Sequence, residues 1–346
     1  MKGFMKAAVL HKPLDLRVED VEIPKIEPDQ VLIRMKRVGI CGSDIHYYLR
    51  GRISSYVVEK PLILGHECAG EIAEVGDEVK SFRVGQRVVV EPGFTCGKCE
   101  HCRSGRYNLC EQVNFYGTPP FNGAFAEYNY APEQNVYPIP DTMSLEEGAM
   151  IEPLAVGMMA AKMGRVEAGD IVVILGAGPI GQMALQASKI CGASAIFVSD
   201  LIEYRLEYAE KHGASAVINP VKEDLSEKVA KLTSGKGADV VIEASGAPAA
   251  IQQTVEIVKP GGTVVLVGNP HGEIMMPMSK IVSKEVRIQG IHRYANVYEA
   301  AIKAVSSGKA IVKPYVTHIF PLERIREAFE VHINKAGNPI KIQVAI

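Results

Sequence analysis

The pattern of hydrophobic and polar positions divides the chain into stretches of different texture. In residues 6 to about 137, short runs such as residues 30–35 alternate apolar and polar side chains, and glycines and prolines interrupt these runs every eight to twelve residues. Alternation with a period of two is typical of a strand with one buried face. This stretch therefore predicts an antiparallel barrel or sandwich with irregular loops set into it.

Residues 169 to about 290 follow a different pattern, in which nearly continuous apolar runs alternate with amphipathic segments of helical length. Strands that are apolar throughout are typical of parallel sheets covered on both faces, so the pattern predicts βαβ units and a doubly wound α/β domain. We count six candidate strands, at residues 171–175, 195–199, 216–218, 240–244, 263–267 and 286–289. The candidate helices include residues 182–190, 203–212 and 225–232.

The C-terminal tail is too short to form a domain of its own, so we expect it to pack on the first domain and to make that domain discontinuous. Its pattern predicts a helix at residues 297–306, a strand at 315–320, a helix at 322–331 and a strand at 340–344. The predicted division assigns residues 1–155 and 294–346 to the β-rich domain, and residues 156–293 to the α/β domain.

Composition and charge narrow the class of protein. The 346 residues are enough for two domains, and the hydrophobic (47%) and charged (23%) fractions are ordinary for a soluble globular protein. The net charge of -2 provides no basic excess for nucleic acid. The four-residue apolar run near the N-terminus is too short for a signal peptide or a membrane span. Seven cysteines, four of them clustered, favour metal binding in a reducing cytoplasm over a disulfide framework.

A glycine-rich segment at residues 176–181 follows the first apolar run of the α/β domain. Gly176 permits a tight turn, Gly178 lets backbone N–H groups reach a pyrophosphate, and Gly181 lets the next helix pack closely on the strand. Pro179 suits the first helical turn, where its missing N–H leaves no bond unmade. The segment predicts a dinucleotide site.

Asp200 ends the next predicted strand, nineteen residues after Gly181. An acid at this place accepts hydrogen bonds from ribose hydroxyls and repels a 2′-phosphate, so NAD is favoured over NADP. Arg205 lies nearby in the sequence and could stack on the adenine or admit a phosphate.

Four cysteines, spaced so that two, two and seven residues separate them, lie in a loop rich in glycine, lysine and asparagine at residues 92–113. They are Cys96, Cys99, Cys102 and Cys110. Four thiolates at this spacing can close a tetrahedron around a structural Zn²⁺. An iron–sulfur cluster also uses four thiolates but at other spacings. A zinc ribbon that binds nucleic acid or protein is an alternative from another functional class.

Other candidate metal ligands are scattered along the chain. Cys41, His66 and Glu152 are all suitable zinc ligands, and a catalytic zinc keeps one position open. Spacing alone cannot bring these residues together. A lone cysteine or histidine in a β-rich domain is also more often an ordinary core or surface residue.

In their order along the chain, the segments Cys-Gly-Ser-Asp-x-His, Gly-His-Glu, the four-cysteine lobe and Gly-Ala-Gly-Pro-Ile-Gly resemble the zinc-containing medium-chain dehydrogenases. The likeness covers essentially the whole chain and is greatest to the sorbitol dehydrogenase branch, through segments such as residues 46–48, 118–120, 152–157 and 293–296. The resemblance implies a Rossmann coenzyme domain and a GroES-like β-barrel catalytic domain. Mammalian sorbitol dehydrogenases lack an intact four-cysteine lobe, so the likeness points to a microbial polyol dehydrogenase or a neighbour of one.

The resemblance also implies a catalytic zinc held by Cys41, His66 and a carboxylate. In the branch the third ligand is Glu67, with Glu152 on a zinc-bound water, whereas in some relatives the position of Glu152 ligates directly. The resemblance further implies a proton relay through Ser43 and His46, with Asp44 orienting His66. It implies a polyol site lined by Tyr47, Phe115, Thr118, Arg293 and Tyr294. It also implies cofactor contacts from Ile180, Val267, Gly268, Asn269 and Arg293.

These inferences predict an NAD-linked, zinc-dependent dehydrogenase that oxidises a secondary alcohol, such as the polyols sorbitol or xylitol, to a ketose. Threonine and 2,3-butanediol dehydrogenases share most of the motifs and are alternatives. We expect two zinc ions per chain, no nucleic-acid or membrane partner, a cytoplasmic location and, from the resemblance, a homotetramer, with a dimer as the alternative.

Overall fold

The structure is a computed structural model that describes residues 3–270 and 272–346. The chain forms two compact units. The first unit contains the described residues up to Glu152 together with Tyr298–Ser306 and Val312–Ile346, and the second unit contains Pro153–Val297 and Ser307–Ile311.

The N-terminal part of the first unit is rich in short strands. Its strands are β1 (Phe4–Lys12), β2 (Asp15–Glu22), β3 (Gln30–Gly39), β4 (Arg52–Ile53), β5 (Tyr56–Val57), β6 (Leu62–Ile63), β7 (Glu67–Val75), β8 (Arg87–Val90), β9 (Gly93–Phe94), β10 (Asn114–Phe115), β11 (Tyr128–Pro132) and β12 (Val136–Pro138). Its helices are α1 (Gly42–Arg50), α2 (Glu100–Arg103), α3 (Leu145–Gly148) and the start of α4 (Ile151–Gly164), with 3₁₀ turns at Tyr107–Leu109 and Glu133–Asn135.

The second unit is a six-stranded, fully parallel sheet with helices between the strands. Its strands are β13 (Ile171–Leu175), β14 (Ala195–Ser199), β15 (Ala216–Ile218), β16 (Ala238–Glu243), β17 (Val258–Leu266) and β18 (Arg287–Gly290). Its helices are α5 (Pro179–Ile190), α6 (Glu203–Lys211), α7 (Leu225–Leu232), α8 (Pro248–Ile257) and α9 (Met278–Ser283). The strand order β15-β14-β13-β16-β17-β18 is that of the doubly wound dinucleotide-binding fold, which confirms the predicted fold class.

The C-terminal tail returns to the first unit, as the sequence predicts. It contains α10 (Tyr298–Ser306), β19 (Val316–Pro321), α11 (Ile325–Asn334) and β20 (Lys341–Ala345), with 3₁₀ turns at Lys313–Tyr315 and Leu322–Arg324. The predicted helix at 322–331 is therefore a 3₁₀ turn followed by an α-helix that ends three residues later. Strand β20 pairs antiparallel with β3 and parallel with β19, so the β-rich domain is discontinuous in sequence.

A seven-stranded sheet organises the first unit, in the order β12-β8-β7-β3-β20-β19, with β11 also paired to β3. The alternation seen in the sequence of β3 puts Val31, Ile33 and Met35 in the core, where each is fully buried. Phe329 of α11 packs edge-on against Phe125 in the same core, with ring centroids 6.0 Å apart. Within the described part of the chain, none of the helices combines the length and hydropathy that a membrane crossing requires.

Candidate metal and dinucleotide sites

Three potential metal ligands meet beside the central strands of the first unit. Cys41 is the N-cap of α1, two residues after the end of β3, His66 precedes β7, and Glu67 is the first residue of β7. Because β3 and β7 pair antiparallel with Gly39 opposite Glu67, the end of one strand meets the start of the other. One ligand atom of each of the three residues lies within 4.8 Å of the others. We call Cys41, His66 and Glu67 the ligand triad.

Asp44 holds the two backbone segments that carry the triad. Its carboxylate is buried; Oδ2 accepts a hydrogen bond from the N–H of Cys41 at 2.9 Å, and Oδ1 accepts one from the N–H of Gly65 at 3.0 Å. The sequence resemblance assigns Asp44 to orienting His66, but His66 Nδ1 lies 3.9 Å from Asp44 Oδ1, too far for a hydrogen bond. In this structure, Asp44 orients the main chain on either side of the triad rather than the imidazole directly.

The electrostatics of the triad suit a cation. Burial alone lowers the pKa of His66, but the negative charges of Cys41 and Asp44 outweigh it and raise the pKa to about 10. Thiolate, imidazole and carboxylate are the donors that zinc takes in proteins. Three such donors are the protein ligand set of a catalytic zinc site, in which the ion would replace the proton as the balancing positive charge.

Glu152 lies apart from the triad but within its electrostatic reach. It stands in the first turn of α4 and is only 6% exposed, and its charge contributes to the raised pKa of His66. The structure does not bring a Glu152 oxygen into the group of mutually close ligand atoms, whereas Glu67 belongs to it. Of the two carboxylates that the sequence left open as third ligand, the geometry favours Glu67.

Lys341 is a neighbour of the triad that the sequence analysis missed. Its ammonium group donates to Glu67 Oε1 at 2.5 Å and to the carbonyl oxygen of Ile40 at 2.9 Å. The lysine side chain is 2% exposed and Glu67 is fully buried. The available signal in the sequence was a lysine between Ile340 and Ile342 at the start of the last strand, because lysine is almost never fully buried without a partner.

Several residues that the resemblance assigns to the proton relay and the substrate site belong to the first unit. Ser43, His46 and Tyr47 lie on α1 at a spacing of three and four residues, which puts them on one face of the helix. Phe115, at the end of β10, packs its ring against the imidazole of His66 with centroids 5.3 Å apart. Thr118 lies in the turn after β10, where its N–H donates to the carbonyl of Phe115 at 3.0 Å.

The four cysteines of the predicted lobe form a second group of ligand atoms, and all four sulfurs lie within 4.8 Å of one another. The sulfur–sulfur distances are 3.9 Å for Cys96–Cys102 and 3.5 Å for Cys99–Cys102, close to the ~3.8 Å edge of a tetrahedron with Zn–S bonds near ~2.3 Å. Backbone N–H groups of Lys98 and Cys99 lower the pKa of the Cys96 thiol to about 6. All seven cysteines are free, and this lobe fits a closed, structural zinc site.

The glycine loop of the second unit has the shape that a dinucleotide requires. Gly176 has a φ of +99°, and a Cβ at Gly181 would lie 1.7 Å from the carbonyl oxygen of Gly176. A Cβ at Gly178 would meet only Arg205 Nη1, at 3.7 Å, so this glycine faces open space. Helix α5 begins there with Pro179 at its first position, and its unpaired N–H groups suit an anion.

Asp200 and Arg205 adjoin this loop. The Asp200 carboxylate accepts hydrogen bonds from the N–H groups of Ala177 at 2.7 Å and Ile202 at 2.9 Å, and lies 3.8 Å from Arg205 Nη1. The Nε of Arg205 is buried and has no hydrogen-bond partner among the described residues. A buried donor beside an open glycine position fits a ligand that carries oxygen acceptors.

A second loop at the same edge of the sheet is fixed by Glu243, which the sequence analysis did not identify. This fully buried carboxylate, at the end of β16, accepts hydrogen bonds from the N–H groups of Ser245 at 2.8 Å and Gly246 at 2.9 Å. Its backbone oxygen accepts from Val267 at 2.8 Å and from Gly268 at 3.1 Å. Glu243 therefore fixes the loop of the predicted cofactor contacts Val267, Gly268 and Asn269.

Arg293 and Tyr294 follow β18 in the second unit. Arg293 has a φ of +55°, and Tyr294 is 3% exposed. The other three residues expected to line the substrate site belong to the first unit.

A doubly wound domain with this glycine loop, joined to a β-rich domain with two zinc-type donor groups, defines a metal-dependent, dinucleotide-linked dehydrogenase. Two family models match the chain: zinc-binding dehydrogenase over residues 179–307, and the alcohol dehydrogenase GroES-like domain over residues 27–141. The chain belongs to the zinc-containing medium-chain dehydrogenase family, in its polyol-dehydrogenase branch.

Two relatives and one solved structure are similar to this chain over nearly its whole length. Sorbitol dehydrogenase of Bacillus subtilis is 46% identical, covering 98% of this chain and 97% of the relative. D-xylulose reductase of Saccharomyces cerevisiae is 42% identical over 97% and 96%. A solved Escherichia coli oxidoreductase of unknown specificity superposes with a TM-score of 0.96 at 41% identity, covering 100% and 99%. The predicted fold and enzyme class are confirmed.

The predicted cofactors agree with the same comparisons. The family is zinc-binding, and two further solved neighbours, at 30% identity each, are described as bound to NADP and to NADH. Together with the cysteine group, this supports zinc and a nicotinamide dinucleotide as the cofactors.

Proposed function

We propose that this enzyme oxidises a secondary hydroxyl of a polyol, such as sorbitol or xylitol, to a ketose with NAD as hydride acceptor. The observation that carries the proposal is the ligand triad, in which a thiol, an imidazole and a carboxylate from separate segments come within 4.8 Å of one another. The names of the similar proteins support a polyol as the substrate class.

Cys41, His66 and Glu67 would hold the catalytic zinc, and Glu152, whose charge reaches His66, would act on it at longer range. Zinc bound there supplies Lewis-acid polarisation of the substrate hydroxyl, which favours loss of the hydroxyl proton. Ser43 and His46 lie one helical turn apart, so they can pass that proton away from the substrate in two short transfers. The other carbons and hydroxyls of the substrate would be oriented by the residues that the resemblance assigns to the polyol site, namely Tyr47, Phe115, Thr118, Arg293 and Tyr294.

The dinucleotide belongs on the glycine loop, against Gly178 and the start of α5. We propose NAD rather than NADP because the Asp200 carboxylate repels a 2′-phosphate. Arg205 offers a donor to the same ligand, and Ile180, Val267, Gly268, Asn269 and Arg293 complete the cofactor contacts.

The finer features of the protein remain proposals on the same basis. We propose domain boundaries at residues 1–155 with 294–346 and at 156–293, which differ from the two compact units by three or four residues at each boundary and by Ser307–Ile311. We also propose a structural zinc in the lobe at 92–113, a homotetramer and a cytoplasmic location. A zinc-ribbon module that binds nucleic acid or protein would leave the doubly wound domain without a role.

The test is a substrate panel with a matched pair of variants. The purified protein is assayed for NADH formation with sorbitol, xylitol, threonine and 2,3-butanediol, and kcat/KM is compared for NAD and NADP. Cys41→Ser should abolish turnover and remove one zinc per chain while NAD binding persists. Cys191→Ser, the same change at an exposed cysteine outside both groups, should do neither.

Three results would overturn parts of the proposal. Turnover by Cys41→Ser after complete removal of metal would refute the zinc mechanism. Threonine or 2,3-butanediol as the best substrate would replace the polyol with one of the alternative activities. Equal kcat/KM with NADP would refute the role given to Asp200.

A further inference from the structure

The last strand of the chain places a buried, positively charged lysine beside the ligand triad. Strand β20 lies beside β3, with Gln343 opposite Gly39, and Lys341 sits at the start of β20 with its side chain 2% exposed. The ammonium nitrogen lies 2.5 Å from a Glu67 oxygen and 2.9 Å from the carbonyl oxygen of Ile40. Ile40 immediately precedes the ligand Cys41, so the lysine bridges two ligand-bearing segments.

A missing side chain makes room for the same carboxylate. A Cβ on Gly39 would lie 2.0 Å from Glu67 Oε2 and 3.1 Å from Glu67 Cβ. Gly39 pairs with Glu67 across β3 and β7, so the carboxylate occupies the space that any larger residue at position 39 would fill. Glu67 is therefore held by Lys341 and accommodated by Gly39.

The charge of Lys341 explains why this arrangement persists. Glu67 is fully buried, and a carboxylate in such surroundings is strongly disfavoured unless a cation or hydrogen-bond donors compensate it. Lys341 lies in β20, which pairs with β19 on one side and with β3 on the other, and both acceptors of its ammonium group are buried in the same unit. Removal of the ammonium group frees the carboxylate to turn away from Cys41 and His66.

We propose that Lys341 is a positioning residue, which holds the Glu67 carboxylate in the orientation that ligates the catalytic zinc. The inference rests on the proposed function, because it takes the ligand triad as the zinc site. Lys341 acts through Glu67 and touches neither substrate nor cofactor in this role. Outer partners of metal ligands commonly change metal affinity by about 10–100-fold when they are removed.

The test replaces Lys341 by an apolar side chain of similar length. In Lys341→Met, competition with a chelator should show at least about a tenfold weaker hold on the zinc that Cys41→Ser removes. The visible spectrum of the protein with Co²⁺ substituted at that site should change, because a ligand has moved. Lys303→Met, the same change at a lysine whose side chain is 78% exposed, should leave both measurements as in the wild type.

Two further variants distinguish positioning from general stability. In a Glu67→Gln background, Lys341→Met should weaken zinc binding by less than about twofold, because the residue through which it acts is altered already. Gly39→Ala keeps the lysine but displaces the carboxylate, and it should change the cobalt spectrum as well. Zinc retention in the four-cysteine lobe reports whether Lys341→Met folds. If Lys341→Met does not fold, Gly39→Ala provides the test instead.

The outcomes separate this inference from the proposed function. If Cys41→Ser loses no zinc, the proposed function is wrong and the inference falls with it. If Cys41→Ser loses zinc but Lys341→Met and Gly39→Ala match the wild type in chelator competition and cobalt spectrum, only the role of Lys341 is refuted.

Discussion

Gly178 and Gly181 lie three residues apart, yet we expect a methyl group to have different effects at the two positions. At 181 the new Cβ would lie 1.7 Å from the Gly176 carbonyl oxygen, against about 3.4 Å for an ordinary contact, so the start of α5 must move by roughly 1.7 Å. Overpacking of this kind costs about 1–3 kcal/mol. At 178 the nearest atom is 3.7 Å away, so we expect the free energy of unfolding to stay within about 1 kcal/mol of wild type.

Cofactor binding should respond differently. A methyl group at 178 occupies the open space that the pyrophosphate needs to approach the backbone, so Gly178→Ala should raise the Kd for NAD at least about tenfold, or 1.4 kcal/mol. Gly181→Ala should weaken NAD binding only as far as it displaces the helix start.

Calorimetric titration gives the Kd for NAD, and urea unfolding gives the stability of each variant. The chain contains no tryptophan, so unfolding is followed by far-ultraviolet circular dichroism. Two results would contradict these expectations: Gly178→Ala binds NAD like the wild type, or it loses as much stability as Gly181→Ala. Either result would mean that the open space at Gly178 is not where the cofactor binds.

Two further predictions concern the other sites. Cys99→Ser should remove one zinc per chain and lower the thermal midpoint more than it alters kcat, with Cys191→Ser as the control; an unchanged midpoint with two zinc ions retained would contradict a structural role. Glu243→Gln should raise the Kd for NAD by about tenfold and leave the zinc content unchanged, because the N–H groups of Ser245 and Gly246 lose a charged acceptor worth about 1.5–3 kcal/mol. Unchanged NAD affinity would show that the loop keeps its conformation without the carboxylate.

Local patterns predicted much of the second unit. The strands at 171–175, 195–199 and 216–218 have the expected bounds, because a strand buried on both faces gives a continuous apolar run. Strand β17 starts at Val258, five residues before the predicted start. The prediction started later because Lys259-Pro260-Gly261-Gly262 is typical of a turn. Helix α4 was missed because it is apolar on all sides and has no helical period to detect.

The sites also differ in how far the sequence alone could predict them. The glycine loop and the cysteine lobe are continuous in sequence, so their residue types and spacing were sufficient to predict them. The ligand triad depends on the register that sets Gly39 opposite Glu67, which no local pattern encodes, and only the family resemblance brought its members together in advance. Lys341 lies 274 residues from Glu67, and nothing in either segment indicates their contact.

An anomalous-scattering crystal structure of the zinc-loaded protein, collected at the zinc absorption edge, would locate both metal ions. We expect two peaks per chain: one among the four cysteine sulfurs, and one about 2.3 Å from Cys41 Sγ that also contacts His66 and a Glu67 oxygen. A single peak in the cysteine lobe, with the Cys41 and His66 side chains turned away from each other, would contradict the central claim that a catalytic zinc binds at this triad.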